Sequence, residues 1–146
     1  MRGWREGMRA SGRKLVVTNG CFDLLHVGHV TYLETARGFG NALLVGVNSD
    51  AGVRLLKGES RPVTPEEDRA LVLAGLQSVD AVCIFPGKTA AAFLEVAQPD
   101  IYVKGGDYTL DQLNQEERGI VERCGGKIIV APLVPAVKPQ AAFFEE

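Results

Sequence analysis

From position 14 onward, short runs of aliphatic and β-branched residues alternate with longer stretches whose apolar side chains recur every three or four positions. Residues 14–18 (KLVVT) form a buried-strand pattern closed by Asn19-Gly20, and residues 27–37 have helical spacing with Val27, Val30, Leu33 and Ala36 on one face. Residues 42–47 predict a second strand. Pro65, followed by Glu66, Glu67 and Asp68, predicts a helix start, since proline lacks only an N–H that a first turn leaves unused and acids suit the positive dipole end. Leu71, Leu73 and Leu76 continue its apolar positions. Residues 79–85 read as a third strand, 89–97 as an alanine-rich helix closed by Pro99, 101–103 as a fourth strand, 110–124 as a helix and 127–131 as a fifth strand. This alternation predicts an α/β fold: a single Rossmann-like, doubly wound parallel sheet of about five strands with helices on both faces.

The chain has 146 residues, 46% apolar and 23% charged, as expected for one globular domain. A chain of this length buries roughly two-thirds of its unfolded surface and needs neither disulfides nor a structural metal. No apolar run approaches the roughly 20 residues that span a bilayer, and residues 1–14 lack the hydrophobic segment of a secretory signal, so a cytoplasmic, non-membrane protein is expected. Cys21, Cys83 and Cys124 are odd in number and lack CxxC spacing, which predicts reduced thiols, with Cys83 in the core. The net charge is -2, yet Arg2, Arg5, Arg9, Arg13 and Lys14 crowd the start, leaving an acidic body without the basic stripe a nucleic-acid surface requires. Residues 1–13 are therefore expected to be a flexible, solvated basic arm, 14–135 the folded domain and 136–146 a tail.

In doubly wound sheets ligands sit beyond the carboxyl ends of the strands, where strand order reverses. The loop after the first strand, Thr18 to His29 (TNGCFDLLHVGH), holds both histidines of the chain. His26 and His29 share one face of a first helical turn, and Gly28 permits close approach to backbone N–H groups at the positive dipole end. Such a site suits a phosphate chain, with imidazole N–H groups donating to oxygens that gain charge as a bond to phosphorus breaks. The GxxxxGK[ST] and GxGxxG patterns are absent. Two other readings stand beside this one: a capping or packing histidine at position 26, and a zinc site from Cys21, Asp23, His26 and His29, which lacks a second cluster to close it.

TNGCFDLLHVGH resembles the HxGH signature of the nucleotidyltransferase superfamily. With GVNSDAGVRLLKG (46–58), RPVTPEEDRALVLAGLQSVD (61–80), PDIYVKGGDYT (99–109) and GGKIIVAPLVP (125–135), the chain resembles the adenylyltransferase domain of bacterial ADP-heptose synthesis over residues 14–135. Gln77–Ala81 and Gly105–Tyr108 stand where cytidylyltransferases carry RYVDE-like and GDDW-like segments, which favours the adenylyl branch. Residues 136–142 (AVKPQAA) replace a Ser-Thr-Thr segment of the family.

The resemblance implies transfer of AMP from ATP to a sugar 1-phosphate, most closely D-glycero-β-D-manno-heptose 1-phosphate, with Mg²⁺ on the ATP phosphates. It implies His26, His29 and Lys57 as catalytic residues, Lys57 as a mobile cation in the Gly- and charge-rich loop 57–61, and Asn19, Gly20, Cys21, Phe22, Asp23, Gly28, Asp50 and Arg61 around the nucleotide. Lys104, Gly105, Gly106 and Asp107 would meet the sugar phosphate, with Asp68 and Arg69 as second-rank site residues whose ordinary role is to cap a helix and pair at the surface. Implied partners are a separate or fused sugar kinase and a second copy of the chain in a homodimer. A cytidylyltransferase acting on a polyol phosphate, and a nucleotide-binding homologue with weak or no turnover, remain open.

Overall fold

The structure is a computed structural model and describes residues 1–106 and 109–131. The expectations for Asp107 and for residues 132–146, including the altered segment 136–142, lie outside the described residues.

Five parallel strands form one sheet: β1 (Leu15–Gly20), β2 (Ala42–Asn48), β3 (Ala81–Phe85), β4 (Ile101–Gly105) and β5 (Lys127–Ala131), in the order β3-β2-β1-β4-β5. The predicted α/β class and strand number hold. The central strands are buried on both faces, so their side chains alternate between two cores. Leu15, Val17, Leu44 and Tyr102 pack on one side with Phe93, Leu94 and Val121, while Val16, Leu43, Val45 and Val103 pack on the other with Leu33, Leu73 and Val79. Fully burying each such aliphatic contributes about 1.5–3 kcal/mol, which explains why β1 and β2 tolerate so few polar residues.

The helices are α1 (Arg2–Ala10), α2 (Val27–Arg37), α3 (Asp50–Lys57), α4 (Glu66–Ala74), α5 (Ala91–Ala97) and α6 (Gln115–Arg123). Ser49 caps α3 by accepting from Gly52 N–H, and Gly58 ends it at φ +99°, a value that glycine adopts without a Cβ clash. Pro65 precedes α4, whose first turn carries Glu66, Glu67 and Asp68. Asn114 caps α6 by accepting from Glu117 N–H.

Several expectations are corrected. Residues 2–10 are helix α1 and not a solvated arm: Met8 enters the core, and the buried Arg5 guanidinium donates to the Ala97 and Gln98 carbonyls and pairs with Asp100 at 2.9 Å. Charge density alone concealed this, because one basic residue of the five faces inward. Residues 110–124 are not one helix, since a 3-10 turn (Leu110–Gln112) breaks before Asn114 restarts the backbone as α6. Lys57 closes α3 and does not belong to a loop. Val27 and Leu71 point to solvent, because α2 and α4 bury Leu33, Ala36 and Leu73 against the sheet. Cys83 is half-buried against the core, and all three cysteines are free thiols.

Candidate active site

Strand order reverses between β1 and β4. These strands pair only at Val16 with Ile101 and Val17 with Tyr102, whereas β1 pairs with β2 as far as Gly20. Beyond Val17, the Val103 carbonyl accepts instead from the Thr18 and Tyr32 hydroxyls, so β1 and β4 part over a polar floor. A cleft of about 390 Å³ opens there, lined by Asn19, Gly20, Phe22, His29, Tyr32, Lys104, Gly105, Gln112, Leu113 and Asn114. Its place at the switch point is where the topology puts a ligand. Burial pushes the Tyr32 hydroxyl up to about 12, so this group stays a proton donor.

The histidines form a reciprocal cap at the start of α2. His26 Nδ1 accepts from Gly28 N–H at 3.1 Å, and His29 Nδ1 accepts from His26 N–H at 3.3 Å. The capping reading of His26 is thus correct for one nitrogen of each ring. Because Nδ1 accepts in both, the proton of each neutral imidazole resides on Nε2, which remains a donor. Desolvation, then the nearby His26 and Lys57 charges, lower the pKa of His29. The rings lie 4.0 Å apart between centroids, and Phe22 sets its edge against His29 at 5.6 Å. Phe22 itself sits at φ +49°, a left-handed conformation that costs a non-glycine residue about 1 kcal/mol and that its buried ring sustains.

Other predicted residues act behind the cleft. Asp23 is buried and receives Val63 N–H, Thr64 N–H and the Arg61 guanidinium at 2.9–3.0 Å. Burial alone would raise its pKa, but these donors outweigh burial and hold it below the ordinary 3.8. Its carboxylate therefore fastens segment 61–64 to the histidine loop, and Arg61 is its partner in that contact. Arg69 is corrected from a surface pair to a buried clasp: it donates to the Thr64, Cys21 and Asn48 carbonyls and pairs with Asp50 at 2.8 Å. Asp50 is thereby engaged, and Asp68 is an exposed first-turn acid. The Cys21 thiol is raised mainly by burial, and Cys21 is not among the residues that line the cleft. Gly28 supplies a capped N–H, and exposed Lys57 stands near enough to His29 and Cys21 to act on both by charge.

Lys104 projects from the end of β4, its ammonium 5.5 Å from the Tyr102 ring centroid. Gly105 lines the cleft, and Gly106, at φ +131°, donates to the Ala131 carbonyl. The sequence reading missed Tyr32, Gln112, Leu113 and Asn114. A Leu-Asn step between two helical patterns was the available signal for the last three. Among the described residues no three His, Cys, Asp or Glu side chains converge as a metal cage, so the zinc alternative has no closed ligand set there.

The Cytidylyltransferase-like family model matches residues 17–143. The chain is 50% identical over 126 residues to the bifunctional protein HldE of Koribacter versatilis, covering 86% of this chain and 26% of that one. It is 57% identical over 100 residues to HldE of Wolinella succinogenes, covering 68% of this chain and 21% of that one. The chain thus spans about a quarter of the length of the curated relatives it matches. Among solved structures it is similar to the lipopolysaccharide core biosynthesis protein of Thermoplasma volcanium, with a TM-score of 0.66, 28% identity, and coverage of 83% of this chain and 96% of that one. Pantoate-beta-alanine ligase of Francisella tularensis, at 15% identity and TM-score 0.54 over 90% of this chain and 64% of that one, shares the fold. With its histidine pair at the switch point and a family match across most of its length, the chain belongs to the Cytidylyltransferase-like family of nucleotidyltransferases.

Proposed function

We propose that this domain transfers AMP from ATP to a sugar 1-phosphate, D-glycero-β-D-manno-heptose 1-phosphate being the best candidate, with release of pyrophosphate. The observation that carries the reading is the single cleft bringing His29 and Lys104 together across the parted ends of β1 and β4. Identity near 50% to HldE proteins, and similarity to a lipopolysaccharide core biosynthesis protein, support the sugar class.

In this reaction a phosphate oxygen of the sugar 1-phosphate attacks the α-phosphorus of ATP in line. A new P–O bond forms, the bond to the β-phosphate oxygen breaks, and pyrophosphate leaves with that electron pair. No covalent enzyme intermediate is needed, so positioning and charge stabilisation supply the rate. The Nε2–H groups of His26 and His29 donate to triphosphate oxygens, and their worth grows as charge gathers on the leaving group. A lowered pKa keeps His29 a neutral donor at pH 7. Lys57 brings a cation toward the same end of the site, and Lys104 receives the sugar phosphate. Mg²⁺ carried in with ATP would neutralise charge on its phosphates. A sugar kinase, separate or fused, would supply the acceptor.

Pyrophosphate release is the test, with ATP or CTP offered against heptose 1-phosphate, other sugar 1-phosphates and glycerol 3-phosphate. ATP with a hexose or heptose 1-phosphate is the expected pair. Preference for CTP with glycerol 3-phosphate would overturn the assignment.

A further inference from the structure

The cleft wall at Asn19 is backed by a hydrogen-bonded line that runs into the protein. The hydroxyl of Tyr102, itself 1% exposed, lies 2.8 Å from Glu117 Oε1 on α6 and 2.8 Å from Asn19 Oδ1 at the end of β1. Glu117 is buried, and no cation pairs with it among the described residues. The phosphate chemistry described above makes no use of this carboxylate.

A hydroxyl has one proton, and here two oxygens claim it. Burial first, and then the adjacent Glu117 charge, hold Tyr102 far above the usual phenol range, so it keeps its proton. Between a carboxylate and an amide carbonyl, the carboxylate is the stronger acceptor and takes that proton. The Tyr102 oxygen then offers Asn19 only a lone pair, and a second oxygen facing it would leave two acceptors in contact with no proton between them. The two ends of a carboxamide are nearly identical in shape, and the line closes when Asn19 turns its NH₂ group toward Tyr102. Its carbonyl oxygen then faces the cleft, whose lining also includes Gly20, Lys104 and Gly105.

We propose that Glu117, acting through Tyr102, is a positioning residue that locks the Asn19 amide with its carbonyl oxygen toward the cleft, where it accepts a hydrogen bond from a hydroxyl of the sugar phosphate. The proposal rests on reading the cleft as the sugar 1-phosphate site. It assigns Asn19 a part in specificity. A fixed acceptor in the cleft that Lys104 also lines favours an acceptor molecule that carries a hydroxyl close to its phosphate, and a substrate without one leaves that oxygen unpaired. The amide oxygens of Gln112 and Asn114, which also line the cleft, are already taken by Thr109 N–H and Glu117 N–H.

Two measurements test the proposal. Without substrate, the Asn19 side-chain amide of the intact chain is followed by ¹H–¹⁵N NMR. One of its protons should exchange slowly in the wild type, and at least tenfold faster in Tyr102→Phe, which keeps the ring beneath Lys104. Glu117→Gln makes the two acceptors equivalent and should fall between. In turnover, Tyr102→Phe should raise KM for the sugar 1-phosphate about tenfold while kcat and KM for ATP stay within twofold. The double variant should be no worse than Tyr102→Phe alone, because both residues act along one line. Unchanged Asn19 exchange in Tyr102→Phe, an unchanged sugar KM, or losses that add in the double variant would overturn the proposal. If the wild type turns over no sugar 1-phosphate, the functional reading fails, while the exchange measurement still decides the orientation of Asn19.

Discussion

Replacing Arg69 with methionine should loosen three loops at once. Its guanidinium is wholly buried and donates to Thr64 O at 2.9 Å, Cys21 O at 2.7 Å and Asn48 O at 2.8 Å, besides pairing with Asp50. Methionine fills the stem volume but makes none of these bonds. Removing one partner of a buried charged pair costs about 3–5 kcal/mol. The Asp50 side chain is 29% exposed and can recover some hydration, which lowers the charge contribution. Three carbonyls stranded at about 1 kcal/mol each restore the sum to about 4 kcal/mol. For a domain of this size that corresponds to a Tm lower by roughly 10–15 °C. Arg69→Lys, able to reach only part of the acceptor set, should lose about half as much. Because the clasp holds the loop after β1, the end of β2 and segment 61–64, pyrophosphate release should also fall at least tenfold at temperatures where the variant is fully folded. Thermal melts by circular dichroism and turnover on the same samples are the assays. A Tm loss under 3 °C with full turnover would refute the clasp.

Asp23 gives a pH prediction. Its folded pKa lies below the ordinary 3.8, so the unfolded chain binds the extra proton first; the stability it contributes is complete above about pH 4 and is lost as pH falls through the folded value. Acid melts should show that loss in the wild type and a flatter profile in Asp23→Asn, and equal slopes would contradict the assignment. Arg5→Met should destabilise by about 2–4 kcal/mol, read by urea unfolding, since it removes the guanidinium from the carbonyls of Ala97 and Gln98 and leaves the Asp100 carboxylate with only the Leu15 N–H; a loss below 0.5 kcal/mol would restore the solvated-arm reading. Gly46→Ala places a Cβ 2.6 Å from the Phe93 ring in the core and should cost about 1–3 kcal/mol by overpacking, with an unchanged urea midpoint as the contrary result.

The sheet was legible because parallel strands buried on both faces leave long aliphatic runs, and β1 and β2 carry them plainly. The histidine loop was legible from spacing, since residues three apart at a helix start must share a face. Less legible was what each polar side chain does once folded. Asp23, Asp50, Arg61 and Arg69 stand in matched motifs, yet in the structure they bind one another and backbone groups; apart from Thr64, five residues from Arg69, these partners lie 19 to 48 residues away, beyond any local pattern. Arg5 was hidden for the same reason, its partner being 95 residues on. The wall formed by Gln112 and Asn114 escaped because amphipathic spacing runs through a break that only the capping geometry of Asn114 reveals.

The central claim is that the Nε2–H of His29 stabilises the triphosphate during transfer, and His29→Asn tests it most directly. Asparagine can still accept from His26 N–H and so preserve the cap, but it lacks the donor on the far side of the ring. Steady-state pyrophosphate release from ATP and heptose 1-phosphate, measured beside a melting curve, should show kcat reduced about a hundredfold or more with Tm within 3 °C of wild type. Wild-type turnover in a folded His29→Asn protein would contradict the account.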